Sequence, residues 1–193
     1  MWPWGHLAVA YLLARGERTL RGRRLEGAAV LALAVGALAP DLIDKPLAWT
    51  LSILPSGRSL AHSLFVVGAV GVGVAAFEAG SRRRQLGTWF VVGALSHVLA
   101  DAIPGLLAGE REAVYFLNWP LGPHPTLTGD GSFVTYLREF VAELSLVATG
   151  EFGALGWISV ELAFAVVVGV LWYADGAPGT ATVRDLIEGA KRP

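Results

Sequence analysis

Five apolar segments separated by clusters of charge constrain this chain more than any other feature of its sequence. They cover residues 2–14, 27–39, 60–79, 86–108 and 154–174. A helix that crosses a bilayer needs about 20 predominantly apolar residues, and the last three segments reach that length. The second is short but runs through a predicted turn at 40–44 into another apolar stretch at 46–54. The pattern predicts an all-α, polytopic transmembrane helix bundle with about five spans.

Composition agrees with a membrane protein. Charged residues make up 16% of the chain, whereas soluble domains contain roughly 25%. The net charge of −1 gives no indication of a nucleic-acid partner, so the lipid bilayer is the partner we expect. The absence of cysteine excludes disulfides and thiolate metal ligands. No positively charged region precedes the first apolar segment, so we expect no cleavable signal peptide.

Arginines orient the predicted spans. They concentrate in the loop between the first two segments and in the loop between the third and fourth, at positions 15, 18, 21, 23, 24 and 82–84. Positively charged loops remain in the cytoplasm, whereas the acidic loop at 109–153 belongs outside. The sequence therefore predicts a multi-pass protein of the cell membrane with its N-terminus outside and its C-terminus in the cytoplasm.

Three regions follow from this topology. Residues 1–108 form a membrane bundle that carries the candidate site, residues 109–153 form an extracytoplasmic loop, and residues 154–193 form the last transmembrane helix and a cytoplasmic tail. Within the loop, residues 132–149 place apolar side chains at helical spacing. We expect an amphipathic helix there, either on the outer membrane surface or packed on top of the bundle. Residues 182–189 predict a second short surface helix.

Six ionisable side chains of the kinds that bind metals lie in or beside the spans. Given the predicted orientation, all of them lie near the outer face: His6, Asp41, Asp44, His62, His97 and Asp101. An ionisable group at mid-span costs about 2.5–3.5 kcal/mol on insertion scales. Several such groups at one level of the membrane therefore indicate a functional site.

The spacing and chemistry of these residues fit a metal. His97 and Asp101 are four residues apart and share one helix face, as Asp41 and Asp44 would if their segment is helical. Imidazole and carboxylate ligands suit zinc, and also manganese or iron. Six ligands exceed the four positions of a tetrahedral zinc. The surplus residues either support the ligands or help to hold a second ion.

Simpler roles remain open for each residue. Asp41 follows Pro40 and fits a helix start, where the dipole favours an acid. His6 fits an interfacial position, and His62 fits a hydrogen bond at the start of the third segment. His97 and Asp101 could be no more than a hydrogen-bonded pair.

Three other polar residues near the spans have alternatives of the same kind. Arg58 is either a membrane-surface charge or a group that binds an anionic part of a substrate. His124 is most simply a loop residue. Glu161 either pairs with a polar group of the bundle or faces a water-filled cleft.

The motifs together resemble a known family. An N-terminal histidine, GALAPDLID at 36–44, RSLAHS at 58–63 and SHVLAD at 96–101 are similar to those of the YdjM-type membrane-bound, metal-dependent hydrolases. The resemblance covers about residues 1–108. The family in turn has a distant likeness to zinc-dependent phospholipase C domains, which are all-helical and bind zinc through histidine and aspartate.

The resemblance implies a divalent metal ion, with zinc first and manganese or iron as alternatives, and hydrolytic chemistry. The metal ligands would be His6, Asp41, His62, His97 and Asp101. Asp44 would be a further ligand or the general base, since no glutamate lies beside these motifs to act as the base. Arg58 would complete the site.

The reaction we expect is attack of metal-activated water on an ester or phosphoester. A site at the outer membrane level favours a lipid or lipid-linked substrate. Two other functions remain open. In one, the same groups form an ion or proton pathway in a transporter. In the other, they are buried hydrogen-bonding groups in a structural or partner-binding membrane protein.

Overall fold

A computed structural model describes residues 1–22, 26–77, 80–122 and 156–189, and single helical positions between 134 and 145. Regular structure in these residues is helical throughout, which confirms the all-α prediction. The α-helices are α1 (Pro3–Arg21), α2 (Gly27–Lys45), α3 (Leu64–Ala75), α4 (Arg82–Leu107), α5 (Gly156–Ala174) and α6 (Thr180–Gly189). A π-helical turn (Pro46–Thr50) follows α2, and a 3-10 helix (Arg111–Asn118) follows α4.

Two helical stretches in the described part of the chain are long and apolar enough to cross a membrane. They are Gly27–Thr50 and Arg82–Leu107, whereas Leu64–Ala75 and Ile158–Ala174 are apolar but shorter. The predicted third span, residues 60–79, is helical over a shorter stretch than expected. Its helix begins only after Ser63, whose side chain accepts a hydrogen bond from the Phe65 backbone N–H and caps α3.

The second apolar segment differs from its prediction. The expected turn at 40–44 is wrong, because α2 continues through Pro40 as far as Lys45. A proline inside a helix removes the backbone hydrogen bond to the carbonyl four residues earlier, which here is that of Gly36. The neighbouring Ala37 carbonyl accepts a hydrogen bond from the His97 side chain. Because the segment is helical, Asp41 and Asp44 are carried on one rigid element.

Small residues bring α2 and α4 into close contact. A Cβ atom at Gly36 would overlap the Phe90 carbonyl, and one at Gly93 would overlap the Leu33 carbonyl. The core beside this crossing consists mainly of small side chains, including Ala10, Ala14, Leu33 and Ala37. Close backbone packing of this kind stabilises helix pairs in membranes, where lipid removes most of the hydrophobic driving force.

Polar contacts join the middle and the C-terminal half of α1 to the residue that follows α5. The Tyr11 hydroxyl donates a hydrogen bond to Asp175, and Arg15 and Arg18 pair with the same carboxylate. The Tyr11 hydrogen bond, together with the hydrogen bond and charge of Arg15, lowers the pKa of the Asp175 carboxyl. Asp175 therefore remains ionised at neutral pH and fixes α1 against α5.

The predicted surface helices have different outcomes. The tail forms a helix, α6, close to the predicted bounds. Most of the outer helix predicted at 132–149 lies outside the described residues. The described positions there, including Leu137 and Val141, are helical, and these two side chains are exposed. The 3-10 helix at Arg111–Asn118 was not predicted, and it packs on α3 and α4.

We expect Gly93→Ala to destabilise the bundle. The added methyl group meets the α2 backbone, and overpacking of this kind costs about 1–3 kcal/mol. This loss exceeds the gain of about 0.5–1 kcal/mol from replacing a helical glycine with alanine. Unfolding of the detergent-purified protein by SDS measures the change. Gly16→Ala is the matched control, because no atom lies within 4 Å of the new methyl group. Equal stability of the two variants would contradict the packing described above.

Candidate metal centre

The six predicted site residues lie together in one buried cluster. His6 comes from α1, Asp41 and Asp44 from the last turns of α2, and His97 and Asp101 from α4. His62 lies in the non-helical segment just before α3. The three imidazoles and Asp44 have no solvent exposure, and the side chains of Asp101 and Asp41 are 3% and 12% exposed. Four separate parts of the chain therefore supply the polar side chains of this cluster.

Two imidazole nitrogens face each other at the centre of the cluster. The Nε2 atoms of His62 and His97 are 3.1 Å apart. His62 Nδ1 lies 2.8 Å from Asp44 Oδ2, and His97 Nδ1 lies 2.7 Å from the Ala37 carbonyl oxygen. Neither oxygen can donate, so we assign both protons to Nδ1. In the neutral rings both Nε2 atoms then present lone pairs to each other.

Two carboxylates converge on the same point. Asp41 Oδ1 lies 3.6 Å from His62 Nε2 and 3.7 Å from His97 Nε2. Asp101 Oδ2 lies 3.8 Å and 4.0 Å from the same two nitrogens. These distances are too long for direct hydrogen bonds. The arrangement therefore does not favour the simpler role of His97 and Asp101 as a hydrogen-bonded pair.

His6 completes the ring of potential ligands. It stacks on His97 with ring centroids 3.6 Å apart, and its Nε2 lies 3.3 Å from Asp101 Oδ1. Neither ring nitrogen has a hydrogen-bond partner of acceptable geometry among the described residues. Buried polar atoms normally have such partners. A buried imidazole with two unsatisfied nitrogens, beside other metal ligands, is consistent with a bound ion that completes its contacts.

Asp44 organises the segment that carries His62. Its two oxygens accept hydrogen bonds from the backbone N–H groups of Ser59, Ala61 and His62, besides the contact with the His62 ring. A carboxylate that accepts four hydrogen bonds at a buried position has little capacity left for a metal or a reacting proton. This geometry favours an orienting role for Asp44.

Aromatic and polar contacts cover the side of the cluster beside His62. Phe116, from the 3-10 helix, meets the His62 ring edge-on at 5.9 Å between ring centroids. The Ser63 hydroxyl donates a 2.6 Å hydrogen bond to the Trp119 carbonyl. The segment after α4 is thereby fixed over His62. Phe116 carried no motif, so sequence reasoning missed it.

Two side-chain cations and the N-terminal ammonium contact the cluster carboxylates. The Met1 nitrogen lies 3.0 Å from Asp101 Oδ1. Arg58 Nε lies 3.0 Å from Asp101 Oδ2. Lys45 Nζ pairs with Asp41 Oδ2, one helical turn away. Arg58 was predicted as a site residue, but Lys45 was missed. The spacing of four residues between Asp41 and Lys45 is a signal that could have identified it once this segment was known to be helical.

The other polar residues considered in the sequence lie elsewhere. Glu161 is buried on α5, where its Oε2 accepts a 2.9 Å hydrogen bond from the Trp2 backbone N–H. It thus pairs with a polar group of the bundle, which was one of its two predicted roles. His124 lies outside the described residues.

Sequence comparison adds a family to this geometry. A profile described as YdjM inner membrane protein matches residues 1–176. The chain belongs to the YdjM inner membrane protein family. The match extends far beyond residues 1–108 and includes the whole of α5. No curated protein and no solved structure matches the chain. Membership in the YdjM family supports a location in the membrane.

The donor set of this YdjM-family protein fits a divalent metal. Two facing lone pairs repel each other unless a proton or a cation lies between them. The two carboxylates and the third imidazole around this gap add oxygen and nitrogen donors of the kinds that bind divalent metals. His6, Asp41 and His97 form one set of atoms within 4.8 Å of one another, and His62, His97 and Asp101 form another. Two nitrogens on one tetrahedral zinc lie about 3.3 Å apart, close to the separation observed here.

We expect the purified protein to carry about one or more zinc or manganese ions per chain, and His62→Ala and His97→Ala to lose them. Mass spectrometry of metal content on detergent-purified protein is the measurement. His124→Ala is the matched histidine control and should keep the metal. A wild-type protein that stays metal-free after incubation with zinc and with manganese would rule out this centre.

Asp44→Asn should weaken metal binding by about 10–100-fold, the usual effect of losing an orienting partner of a ligand histidine. The amide cannot accept all four hydrogen bonds, and its NH2 group opposes the His62 Nδ1 proton. Competition with a chromophoric chelator gives the dissociation constant. Asp185→Asn, at an exposed position of α6, is the control. Unchanged affinity in Asp44→Asn would contradict the orienting role.

Proposed function

We propose that this YdjM-family protein is a membrane-embedded, metal-dependent hydrolase that acts on a lipid or lipid-linked ester or phosphoester. The observation that carries the proposal is the facing pair of His62 and His97 Nε2 atoms. Each ring is fixed through Nδ1, and two carboxylates point at the gap between the rings. Anchoring of the second ring nitrogen is the usual arrangement of metal-bound histidine.

The ligands of the ion would be His6, His62, His97 and Asp101. A bound divalent ion lowers the pKa of water toward about 7 and polarises the substrate oxygen. Asp44 keeps His62 in the tautomer that leaves Nε2 free. Arg58 holds Asp101 against the cluster and contributes positive charge to a developing anion.

The base role predicted for Asp44 is better filled by Asp41. Its side chain is the most exposed of the three carboxylates in the cluster, and its Oδ1 faces both central nitrogens. Asp41 Oδ1 is therefore placed to take a proton from water at the cluster, and in that role Asp41 acts as the base while the three histidines of the cluster and Asp101 hold the ion. Asp44 has no exposure and accepts four hydrogen bonds, so it remains an orienting group.

The proposed topology has five spans, with the cluster at the outer level. Helix α3 has 12 residues, which extend about 18 Å, whereas the hydrocarbon core is about 30 Å thick. The non-helical segment 51–63 would then complete this crossing in the outer half of the bilayer. Non-helical backbone is tolerated at membrane depth where protein buries it, and Asp44 satisfies three N–H groups of this segment.

Single cysteines test this topology, because the native chain contains none. With the proposed orientation, a membrane-impermeant maleimide added to intact cells should label Glu112→Cys but not Gln85→Cys. Both positions are exposed, so access to the reagent differs only by side of the membrane. Lysed cells should label both. The reverse pattern in intact cells would overturn the orientation.

Metal-loaded protein in phospholipid nanodiscs should release a water-soluble product from a lipid or lipid-linked ester or phosphoester. His97→Ala should reduce the rate by at least about 100-fold, because loss of the ion removes several kcal/mol of transition-state stabilisation. Mass spectrometry of the released head groups measures the rate, and Arg111→Gln serves as the control. If metal-loaded protein releases nothing from any such substrate, the hydrolase proposal fails. The cluster is then a buried polar network or an ion pathway.

A further inference from the structure

We propose that Lys45 and Arg58 form a phosphate-binding pair at the opening of the metal centre, so that the substrate carries a phosphate group. The inference rests on the proposed function, since it assigns the substrate class of the same site. It narrows the substrate class from an ester or a phosphoester to a phosphoester alone.

The first support is position. Lys45 contacts Asp41, and Arg58 contacts Asp101. These two carboxylates also approach His62 Nε2, at 3.6 Å and 3.8 Å. Each cation therefore contacts a carboxylate that itself faces the point where the ligands converge. The two cations contact different carboxylates. A phosphate bound to the metal would have a cation on either side.

The second support is exposure. The three histidines have no solvent exposure, whereas the side chains of Lys45 and Arg58 are 23% and 39% exposed. An entering molecule therefore meets these cations before it meets the imidazoles. Arg58 lies 5.7 Å from the centre of the Phe116 ring, and Lys45 lies 5.7 Å from that of Trp49. Cation–π contacts of this kind hold both cations in position in advance of binding.

The third support is charge. Three carboxylates against the two side-chain cations and the N-terminal ammonium of Met1 leave no net charge in the described cluster. A divalent ion converts this into two net positive charges. A net charge in a low-dielectric site is costly unless an opposite charge neutralises it. An anionic substrate group supplies that charge, and a neutral ester or amide does not.

The fourth support is donor geometry. Arg58 contacts Asp101 through Nε, and a guanidinium carries four further N–H groups on its terminal nitrogens. This planar fork matches two oxygens of a phosphate, and a lysine ammonium adds a point charge. The pair can therefore bind three phosphate oxygens, or two when one oxygen is bound to the metal.

Isothermal titration calorimetry of zinc-loaded protein with inorganic phosphate tests the proposal without any measurement of activity. We expect Lys45→Gln and Arg58→Gln each to weaken phosphate binding by at least tenfold. Arg111→Gln, an exposed arginine in the segment that follows α4, should bind phosphate like the wild type. Zinc content is measured on every variant. Lys45→Arg retains the charge and should keep both zinc and most of the phosphate affinity. Arg58→Lys should keep zinc but lose part of the phosphate affinity, because lysine lacks the planar fork.

The source of the phosphate is resolved by a second titrant, phosphatidic acid in phosphatidylcholine nanodiscs. Binding of inorganic phosphate assigns the site to a phosphate group regardless of its carrier. Binding of phosphatidic acid alone assigns it to a lipid head group. In either case, Lys45→Gln and Arg58→Gln must weaken the binding of whichever titrant the wild type binds.

Two results overturn the pair. One is a zinc-loaded wild type that binds neither titrant, and the other is a set of zinc-loaded Gln variants that bind as tightly as wild type. Neither result contradicts the metal centre, because the protein is loaded with zinc in both. Failure of the proposed function gives a different result, because metal-loaded wild type would then release no product in nanodiscs, whatever its affinity for phosphate.

Discussion

The backbones of α2 and α4 touch at Gly36 and Gly93, about one helical turn below the buried cluster. His97 follows Gly93 by four residues on the same face of α4. The close approach brings its ring to the carbonyl of Ala37, the neighbour of Gly36. The separation of the two backbones at the glycines therefore decides where His97 Nε2 points. A wider crossing would remove the hydrogen bond that fixes the ring and would move the α2 and α4 carboxylates apart.

Burial explains why Asp44 accepts so many hydrogen bonds. A polar group in hydrocarbon has no water to satisfy it, so the protein must supply its partners. Asp44 meets this requirement for the segment before α3, because it accepts N–H groups that no helix or sheet would satisfy there. The same contacts orient His62. One carboxylate thus satisfies a non-helical segment and orients the His62 ring.

The site has a closed inner part and a more open rim. Imidazoles without exposure hold the centre, and partly exposed cations lie beside the carboxylates. Low polarity around the centre strengthens every electrostatic contact within it. Phe116 and the segment up to Trp119 cover one side of His62. Such an arrangement limits water at the centre and leaves an approach lined by positive charge.

The sequence by itself determined the helical class and the residues worth examining. Long apolar segments can satisfy their backbone in a membrane only as helices or closed barrels. Ionisable residues inside such segments stand out because each is costly. The pair His97 and Asp101 could be placed on one face from its spacing alone. Arginine positions alone predict that all six candidates lie at one level of the membrane.

Tertiary structure decided the roles within that set. The role of Asp44 depends on backbone N–H groups at 59–62, which carry no residue-specific signal in a sequence. The continuation of α2 through Pro40 depends on the packing of α2 against α4, which local propensity does not include. That continuation also brought Lys45 to Asp41. Spacing within one helix can be read from the sequence. Contacts between side chains from different parts of the chain are determined only when the helices pack.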